Sequence, residues 1–519
     1  QGLCPKNKNH VLRTWMIISF SVNGGIITGG GMKYLIALDA GTTSVRAFVY
    51  DFNEKKFVFR AQQEVGQSFP HPGWVEQDAN EIYFKAAYVL NACARFAGDD
   101  LAGIGVTNQR ETVVLWDGAS GDPVCPAIGW QCRRTAAWCA ALDAETKELI
   151  HAHTGLVPDA YFSASKIRWA MDHIPAVSTA LKRGRLRVGT VDSYLIWKFT
   201  QGKTFATDPT NASRTMLYNI HDLQWDADLL HRFQISEEIL PEVRASDARM
   251  GETVLGHRTV PLAGLAGDQQ AALVGQACFS SGTGKITYGT GLFLLFNTGA
   301  QCVSSSHGLI STIGYCIGGK TMYALEGSMF HAGSGVQWLR DDLGMISSSA
   351  ESELLAASVP STDGVYFVPA FTGLGAPYWA PEARALLTGI TRGTSKAHIV
   401  RAVLESIAYG ARDLTDCMQQ DSGLSLSGVR CDGGASANDF LMQFQANVLN
   451  VAVDRPAERE STALGAAMLS ALSLGLTEEK ELPAFRTTGR IFLPEPASRQ
   501  SCERGYSGYR DAVRRALLG

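Results

Sequence analysis

Two short loops of glycine and threonine carry the most evident chemistry in this sequence. The first, Gly41-Thr42-Thr43-Ser44, follows an apolar strand that ends at Asp39, and the second is Gly289-Thr290-Gly291. Glycine lets the backbone approach a ligand closely, and N–H groups together with hydroxyls are the donors that a phosphate needs. Either loop alone is also typical of an ordinary turn. Two such loops at equivalent places indicate a polyphosphate held from both sides.

Two aspartates stand where they could take part in phosphoryl transfer. Asp39 lies at the end of the strand just before the first loop, where its carboxylate could hold Mg²⁺ beside the phosphates. The alternative is an aspartate that only caps the turn. Asp268 lies in a Gly-Asp-Gln-Gln turn. It could be the N-cap of a helix that begins near Ala271, a general base that accepts the proton of an alcohol, or both. We predict that Asp268 is the catalytic base.

Composition limits the classes of partner. The chain has 519 residues, of which 45% are hydrophobic and 18% charged, so it is globular and long enough for two to four domains. The net charge is −4 without blocks of one sign, which argues against nucleic acid or an anionic membrane as the main partner. Eleven cysteines form no CxxC pair. Their spacing therefore predicts reduced thiols in a cytoplasmic protein rather than a zinc ribbon or a disulfide framework.

The first 31 residues differ in character from the rest of the chain. An apolar run within His10–Ser21 follows basic residues and superficially resembles a signal peptide, but it is far shorter than the ~20 residues that cross a bilayer. A glycine-rich segment separates this run from Met32, and that segment does not resemble a small-residue cleavage site. We expect residues 1–31 to be a leader outside the fold and Met32 to be the start of the enzyme.

The elements that must position these residues alternate between strands and helices. The segment ending at Asp39 and the segment Val45–Tyr50 read as strands around the first loop, and Lys285–Thr298 repeats that hairpin around the second loop. The two hairpins lie about half the chain apart, so we predict two α/β domains of similar plan. We place them at residues 32–277 and 278–519, with substrates in the cleft between them.

Further elements follow from local signals. Asp78 and Glu81 predict a capping box at the start of a helix that runs to about Ala97. The remaining predictions are a buried strand, two helices and a strand that enters a glycine turn: Ile104–Thr107, Val336–Leu343, Ala397–Gln419 and Val429–Gly434.

Three motifs together resemble the phosphate and adenosine motifs of the actin, hexokinase and heat-shock-chaperone ATPase superfamily. They are DAGTTS from Asp39, TYGTG from Thr287 and CDGGASAND from Cys431. The resemblance implies two α/β, ribonuclease-H-like domains that flank a central cleft, with ATP as co-substrate and Mg²⁺ held at Asp39 through water. The nucleotide-facing residues that it implies are Thr42, Thr43, Ser44, Arg46, Thr290, Gly333, Gln337, Gly434 and Asn438.

Within that superfamily the sequence is similar to the FGGY carbohydrate kinases, because YFSASKIRWAMDH, at residues 161–173, fits a signature of that family. Segments such as TNQRET, GWQCRRT and AGDQQAALVGQ are closest to the members that phosphorylate glycerol. That resemblance implies a polar set that hydrogen-bonds glycerol and an aromatic wall opposite it. The polar set is Arg110, Glu111, Tyr161, Asp268 and Gln269, and the wall is Trp130 with Phe293.

The implied activity is ATP-dependent phosphorylation of glycerol to sn-glycerol 3-phosphate in glycerol catabolism. One alternative is an FGGY kinase for another small polyol or a ketose, although two aromatic side chains should narrow the pocket. A second alternative is an actin-like nucleotide switch, which would leave the carbohydrate-facing residues without a role. The resemblance also implies a homodimer or homotetramer, whereas allosteric control and the strictness of the choice of glycerol stay open.

Overall fold

The computed structural model describes residues 33–519. The expected leader at residues 1–31 and the expected start at Met32 lie outside the described residues. Among residues 33–519, none of the helices combines the length and the apolar character that a membrane span requires.

The first half of the chain forms one large sheet, several small ones and the helices that cover them. Its strands are β1 Tyr34–Ala40, β2 Ser44–Asp51, β3 Lys56–Glu64, β4 Glu76–Gln77, β5 Leu101–Asn108, β6 Val113–Asp117, β7 Ala127–Ile128, β8 Leu186–Thr190, β9 Ala206–Thr207, β10 Tyr218–Asn219, β11 Gln224–Trp225, β12 Glu242–Val243, β13 Arg249–Leu255 and β14 Arg258–Gly267. Its helices are α1 Ala79–Ala97, α2 Ala136–Ala140, α3 Ala144–Thr154, α4 Ser163–His173, α5 Pro175–Lys182, α6 Val191–Phe199, α7 Pro209–Ala212, α8 Ala227–Phe233 and α9 Asp268–Gly275.

The large sheet of this half has the order β13-β14-β5-β1-β2-β3. Strand β5 runs parallel to both β1 and β14, whereas β2 is antiparallel to β1. Side chains alternate between the two faces of a strand, so Ile36 and Leu38 pack with α1 and α6 while Leu35 and Ala37 face the opposite core. A smaller sheet, β4-β7-β6-β8, packs with α4, α5 and α8 around a separate core.

The second half is built on the same plan. Its strands are β15 Thr283–Tyr288, β16 Leu292–Gly299, β17 Ile310–Ile317, β18 Lys320–Met329, β19 Tyr366–Val368, β20 Leu386–Thr388, β21 Gly428–Asp432, β22 Val453–Pro456 and β23 Thr488–Phe492. Its helices are α10 Gly333–Asp341, α11 Glu351–Ala357, α12 Lys396–Ser422, α13 Asp439–Leu449, α14 Ser461–Ser473 and α15 Arg499–Leu518. The large sheet has the order β17-β18-β16-β15-β21-β22-β23, with β15 antiparallel to β16 and parallel to β21.

The two halves meet through a pair of closely packed helices. Helix α14, from the second half, packs against α9 and against β1, β5 and β14 of the first sheet. Glycine permits this approach, since a Cβ atom on Gly465 would lie 1.8 Å from the carbonyl oxygen of Ala271, and one on Gly275 would lie 2.0 Å from that of Ser461. The core between the halves is therefore backbone against backbone at these points.

Most of the elements predicted from local signals are confirmed, including both loop-bearing hairpins, the strand over residues 104–107 and the long helix, which is α12. One local detail was wrong. Asp78 does cap α1 by accepting a hydrogen bond from the N–H of Asn80, but Glu81 does not complete a capping box. Its carboxylate accepts a hydrogen bond from the N–H of Gly66 instead and pairs with Lys85, because the strand β3 ends beside it.

Candidate active site

Three neighbouring parallel strands end at the same edge of the first sheet. The register pairs Ala40 of β1 with Asn108 of β5, and Asn108 with Gly267 of β14. Each strand is followed directly by a segment that the sequence singled out: the first glycine-threonine loop, the Arg110-Glu111 pair and Asp268. The carboxyl ends of adjacent parallel strands are where ligands bind in α/β proteins. The sheet thus brings the residues expected to bind phosphate and those expected to bind the phosphoryl acceptor to one edge.

The first glycine-threonine loop is a tight turn joined to the acceptor side. The N–H of Gly41 donates to the carbonyl of Ser44 at 3.0 Å, and a Cβ atom on Gly41 would lie 3.1 Å from that same oxygen. Trp130 donates through its indole Nε1 to the hydroxyl of Thr42 at 3.0 Å, and Thr43 is exposed. One aromatic side chain therefore contacts the loop proposed for phosphate and also lines the region proposed for the acceptor.

Asp39 lies nearly buried at the end of β1 and is paired with Arg46. A guanidinium nitrogen of Arg46 lies 2.5 Å from Asp39 Oδ2, and a second one lies 2.8 Å from a carboxylate oxygen of Glu460. The charge of Asp39, and then that of Glu460, raises the pKa of Arg46 even though burial opposes this. Arg46 thus ties the first sheet to the residue that precedes α14.

The adjacent pair Arg110 and Glu111 is almost completely buried. The backbone of Glu111 adopts a φ of 59°, the left-handed region that non-glycine residues rarely occupy outside functional or strained sites. Its carboxylate oxygen Oε1 accepts a hydrogen bond from Arg214 Nε at 2.6 Å. Tyr161 lies close by, with its ring packed edge-on against Trp130 at 5.6 Å between centroids. Charged and aromatic groups therefore share this region.

Asp268 is the first residue of α9, and Gly267 is its N-cap. The interpretation of Asp268 as the N-cap of a helix from Ala271 is therefore wrong, because the helix begins three residues earlier. The carboxylate accepts a hydrogen bond from the N–H of Gln269 at 2.7 Å, and its Oδ1 lies 3.3 Å from Arg110 Nε. Removal from bulk water raises the pKa of Asp268 to about 6, with Arg110 opposing the rise and Glu111 and Asp39 adding to it.

Gln269 is held by a buried lysine from the second sheet. Lys285 Nζ donates to Gln269 Oε1 at 2.6 Å and to the hydroxyl of Thr287 at 2.8 Å. An ammonium group can only donate, so the carbonyl oxygen of the carboxamide faces Lys285 and the NH₂ group faces away from it. Burial lowers the pKa of Lys285. The Lys285 contact thus occupies the carbonyl end of the Gln269 carboxamide and leaves its NH₂ group as the end that can donate elsewhere.

Phe293 lies on β16, directly opposite Thr287 of β15 in the register. Directly paired residues share a face of the sheet, so Phe293 shares the face of Thr287 and, two residues on, of Leu295. Leu295 packs in the core between the halves, whereas Leu292 and Leu294 belong to the core on the other side. Phe293 therefore stands on the face of the second sheet that is turned toward the first half.

The second glycine-threonine loop is anchored to the start of α10. The carbonyl of Thr290 accepts hydrogen bonds from the N–H groups of Ala332 at 2.9 Å and Ser334 at 3.1 Å. Gly333 packs directly on the loop, since a Cβ atom there would lie 2.5 Å from the carbonyl oxygen of Gly289. Gln337 is exposed one turn further along the helix. The loop and this helix start thus form one unit.

The glycine turn after β21 lies at the same sheet edge as the second loop, because β15 and β21 are parallel neighbours. Gly434 is exposed, and no atom lies within 4 Å of the position that a Cβ atom would occupy there. Asn438 caps α13 by accepting a hydrogen bond from the N–H of Leu441 at 2.9 Å, and it donates to Ser352 at 3.3 Å. The turn thus leaves an open surface beside a capped helix.

Three charged residues of this region were missed by reasoning from the sequence. Glu326 of β18 and Arg214 join Arg110 and Glu111 in one buried group of charges. Lys166, also buried, donates to the carbonyl oxygens of Tyr161 at 2.7 Å and Glu111 at 3.3 Å, and burial lowers its pKa to about 8. Lys285, described above, was missed in addition to these three. The sequence signal that could have identified them is a charged residue inside a segment of otherwise apolar or small residues.

Two family models and curated relatives match most of this chain. The model of the FGGY family of carbohydrate kinases, N-terminal domain, matches residues 34–275, and that of the C-terminal domain matches residues 284–474. The chain is 50% identical over 492 residues to the glycerol kinase of Shewanella amazonensis, covering 93% of this chain and 99% of that protein. It is also 50% identical over 493 residues to the glycerol kinase of Klebsiella pneumoniae, covering 93% and 98%.

Solved structures of carbohydrate kinases are similar to this one over most of its length. The crystal structure of Plasmodium falciparum glycerol kinase with ADP superposes with a TM-score of 0.88 at 35% identity, covering 95% of this chain and 100% of that one. A xylulose kinase of Lactobacillus acidophilus, at 22% identity, superposes with a TM-score of 0.85 over 94% of this chain and 99% of that one, which bears on the fold alone. With two family models that together span most of its length, this chain belongs to the FGGY family of carbohydrate kinases.

Proposed function

We propose that this enzyme transfers the γ-phosphoryl group of ATP to a terminal hydroxyl of glycerol and produces sn-glycerol 3-phosphate for glycerol catabolism. The observation that carries the proposal is the position of the Asp268 carboxylate, beside Arg110 at the strand edge that also bears the first glycine-threonine loop. Relatives at about half identity are named glycerol kinase.

The acceptor site in this proposal combines donors, acceptors and an apolar wall. Arg110 Nε and the carboxamide NH₂ of Gln269 donate to hydroxyl oxygens, whereas Glu111 and Asp268 accept from hydroxyl protons. The hydroxyl of Tyr161 belongs to the same hydrogen-bonding set. The C–H edge of a triol packs against aromatic rings, for which Trp130 on one side and Phe293 on the other are available. A small polyol with adjacent hydroxyl groups matches that arrangement.

Asp268 acts as the general base in this mechanism. Its carboxylate accepts the proton of the attacking hydroxyl as the bond from oxygen to the γ-phosphorus forms and the bond from that phosphorus to the bridging oxygen of ADP breaks. A carboxyl group with a pKa of about 6 is ionised at neutral pH, yet it is a stronger base than an ordinary aspartate. Closure of the halves would exclude water, which otherwise competes as the acceptor.

The nucleotide is proposed to lie between the two glycine-threonine loops. Residues 42–44 and Arg46 would face the phosphates from the first half, and Thr290 from the second half. Gly333 and Gln337 on α10 and Gly434 and Asn438 at the glycine turn would face the nucleoside. The exposed, side-chain-free surface at Gly434 supports this placement, because a flat base can approach the backbone there.

Asp39 fits the proposed role in holding Mg²⁺. Arg46 binds only Oδ2 of its carboxylate, and protein sites for Mg²⁺ often use one or two carboxylates together with water and substrate phosphates. When bound, Mg²⁺ would neutralise charge on the phosphoryl oxygens. The carboxylate of Asp39 is close enough to Asp268 for its charge to add to the raised pKa of Asp268.

A coupled assay of ADP release tests the function. We expect turnover with glycerol to exceed turnover with xylulose, ribulose or erythritol, and turnover without an acceptor to be at background. Equal turnover with and without glycerol would contradict the proposal, and faster turnover with a ketose or a tetritol would reassign the substrate. Arg110→Ala should raise KM for glycerol far more than KM for ATP, because the side chain belongs to the acceptor site.

Two further proposals rest on the family resemblance. We propose a cytoplasmic enzyme that assembles as a homodimer or homotetramer. Light scattering after size-exclusion chromatography checks the assembly, and a monomer at working concentration would contradict it.

A further inference from the structure

A closed group of four buried charges spans the two halves of the molecule. Arg110 Nη1 and Nη2 donate to the two carboxylate oxygens of Glu326 at 2.7 Å and 3.0 Å. Arg214 donates to Glu326 at 3.2 Å through Nη2 and to Glu111 at 2.6 Å through Nε. Each of the four side chains is at most 2% exposed.

The contact between Arg110 and Glu326 determines how the arginine is oriented. A guanidinium group is planar, so a carboxylate that binds both terminal nitrogens also fixes the direction of the N–H on the third nitrogen. That remaining group, Nε, lies 3.3 Å from Asp268 Oδ1 and 3.8 Å from Glu111 Oε1. Arg110 Nη1 also donates to Oε1 of Gln270 on α9 at 3.2 Å. The donor that faces the proposed base is therefore oriented by one contact within the first half and by two contacts from Glu326 of the second half.

Glu326 comes from the sheet of the second half, not from the edge that carries the acceptor residues. It lies on β18 opposite Leu295 of β16, on the face turned toward the first half. Although burial alone would raise it, Arg110 and Arg214 lower the pKa of Glu326 to about 2. The carboxylate is thus charged at every working pH, and it can bind both arginines only while the two halves are together.

We infer that Glu326 is a positioning residue, which orients Arg110 toward the acceptor and completes the acceptor site only when the two halves are closed on each other. The inference rests on the proposed function in that the acceptor is taken to be glycerol. Burying charges costs desolvation free energy, and an apolar group of similar volume is often as stable as a buried ion pair. A structural need alone therefore does not account for four charges at this place.

The test is Glu326→Gln, which keeps the shape of the side chain and removes its charge. We expect KM for glycerol to rise about tenfold or more, the scale of a lost charge-assisted hydrogen bond, with KM for ATP changed less than about twofold. The matched control is Glu405→Gln, which also removes a buried carboxylate from an ion pair, here with Arg401 at 2.7 Å within α12. That variant should lose stability without changing KM for glycerol.

The pH dependence of kcat/KM distinguishes a positioning role of Glu326 from a purely structural one, because loss of structure alone would not shift the acidic limb. The charged groups that face Asp268 are Arg110, Glu111, Asp39 and Lys285. Without the negative charge of Glu326, the positive charge of Arg110 acts more strongly on Asp268 and lowers its pKa. The acidic limb of kcat/KM for glycerol should therefore move to lower pH in Glu326→Gln and stay in place in Glu405→Gln.

Equal effects of the two glutamine variants on KM and on the acidic limb would overturn the inference. If Glu326→Gln fails to fold, Glu326→Asp provides the same comparison, since it keeps the charge but is one methylene too short for both arginines. It should raise KM for glycerol and leave the acidic limb closer to its original pH, and an unchanged KM would also overturn the inference. Failure of the proposed function would appear separately, as a wild-type enzyme that does not prefer glycerol.

Discussion

The replacement Asp268→Asn tests the proposed mechanism most sharply. The amide has nearly the shape of the carboxyl group but cannot accept the hydroxyl proton. We expect kcat to fall by at least ~10², the scale of general-base catalysis, while binding of ATP stays nearly intact. A coupled assay for kcat and a titration with ATP followed by tryptophan fluorescence measure the two quantities.

The pH dependence follows from the environment of the same carboxyl group. With a pKa of about 6, Asp268 is roughly half ionised at pH 6 and roughly a tenth ionised at pH 5. In the wild-type enzyme kcat/KM for glycerol should fall with that acidic limb. In Asp268→Asn the residual activity should lose the limb, because the group that titrates is gone.

The same replacement should stabilise the fold, which separates loss of catalysis from loss of structure. Each pKa unit corresponds to about 1.4 kcal/mol, so a rise from 3.8 to about 6 destabilises the native state by about 3 kcal/mol at most. The side chain is 31% exposed, which reduces this to about 1–2 kcal/mol. The penalty is absent below pH 3.8, grows as the pH rises to 6 and is complete above it. The free energy of unfolding of Asp268→Asn should exceed that of the wild type at pH 7.5, and the difference should shrink toward pH 4.

The test of Asp268→Asn has a matched control variant and two outcomes that would contradict it. Asp99, which is 91% exposed beyond the end of α1, offers a matched Asp99→Asn variant that should change neither kcat nor the acidic limb. Wild-type turnover by Asp268→Asn would show that Asp268 is not the base. A normal acidic limb in that variant would show that another group titrates.

Two other predictions concern the supports of the site. Lys285→Met removes the donor that orients the Gln269 carboxamide, so KM for glycerol should rise while KM for ATP changes little; a parallel rise of both constants in steady-state kinetics would contradict that role. Gly465→Ala places a Cβ atom 1.8 Å from the carbonyl oxygen of Ala271 and should lower the free energy of unfolding by at least about 2 kcal/mol. In denaturant titrations the control Gly393→Ala, whose Cβ atom would meet nothing closer than 3.7 Å, should stay near the wild type.

Local chemistry in the sequence was enough to predict the main elements of the fold. Both hairpins, the helix capped by Asp78 and the long helix α12 depend on interactions within a few residues, such as turn glycines and periodic apolar positions. The start of α9 was placed three residues too late, since a glycine N-cap has no side-chain signal. Asp39, Arg110 and Asp268 could be named individually because each follows or adjoins a recognisable motif.

Only the tertiary structure decided which of these groups act on one another. Arg110 and Glu326 are 216 positions apart, and Lys285 on β15 of the second sheet contacts Gln269 on helix α9. No local pattern encodes such pairs, because they depend on the register of two sheets and on how closely the glycines of α9 and α14 let the halves approach. The sequence by itself determined the two glycine-threonine loops and the hypothesis that Asp268 is the base; the packing of the two halves determined which charges are buried around Arg110.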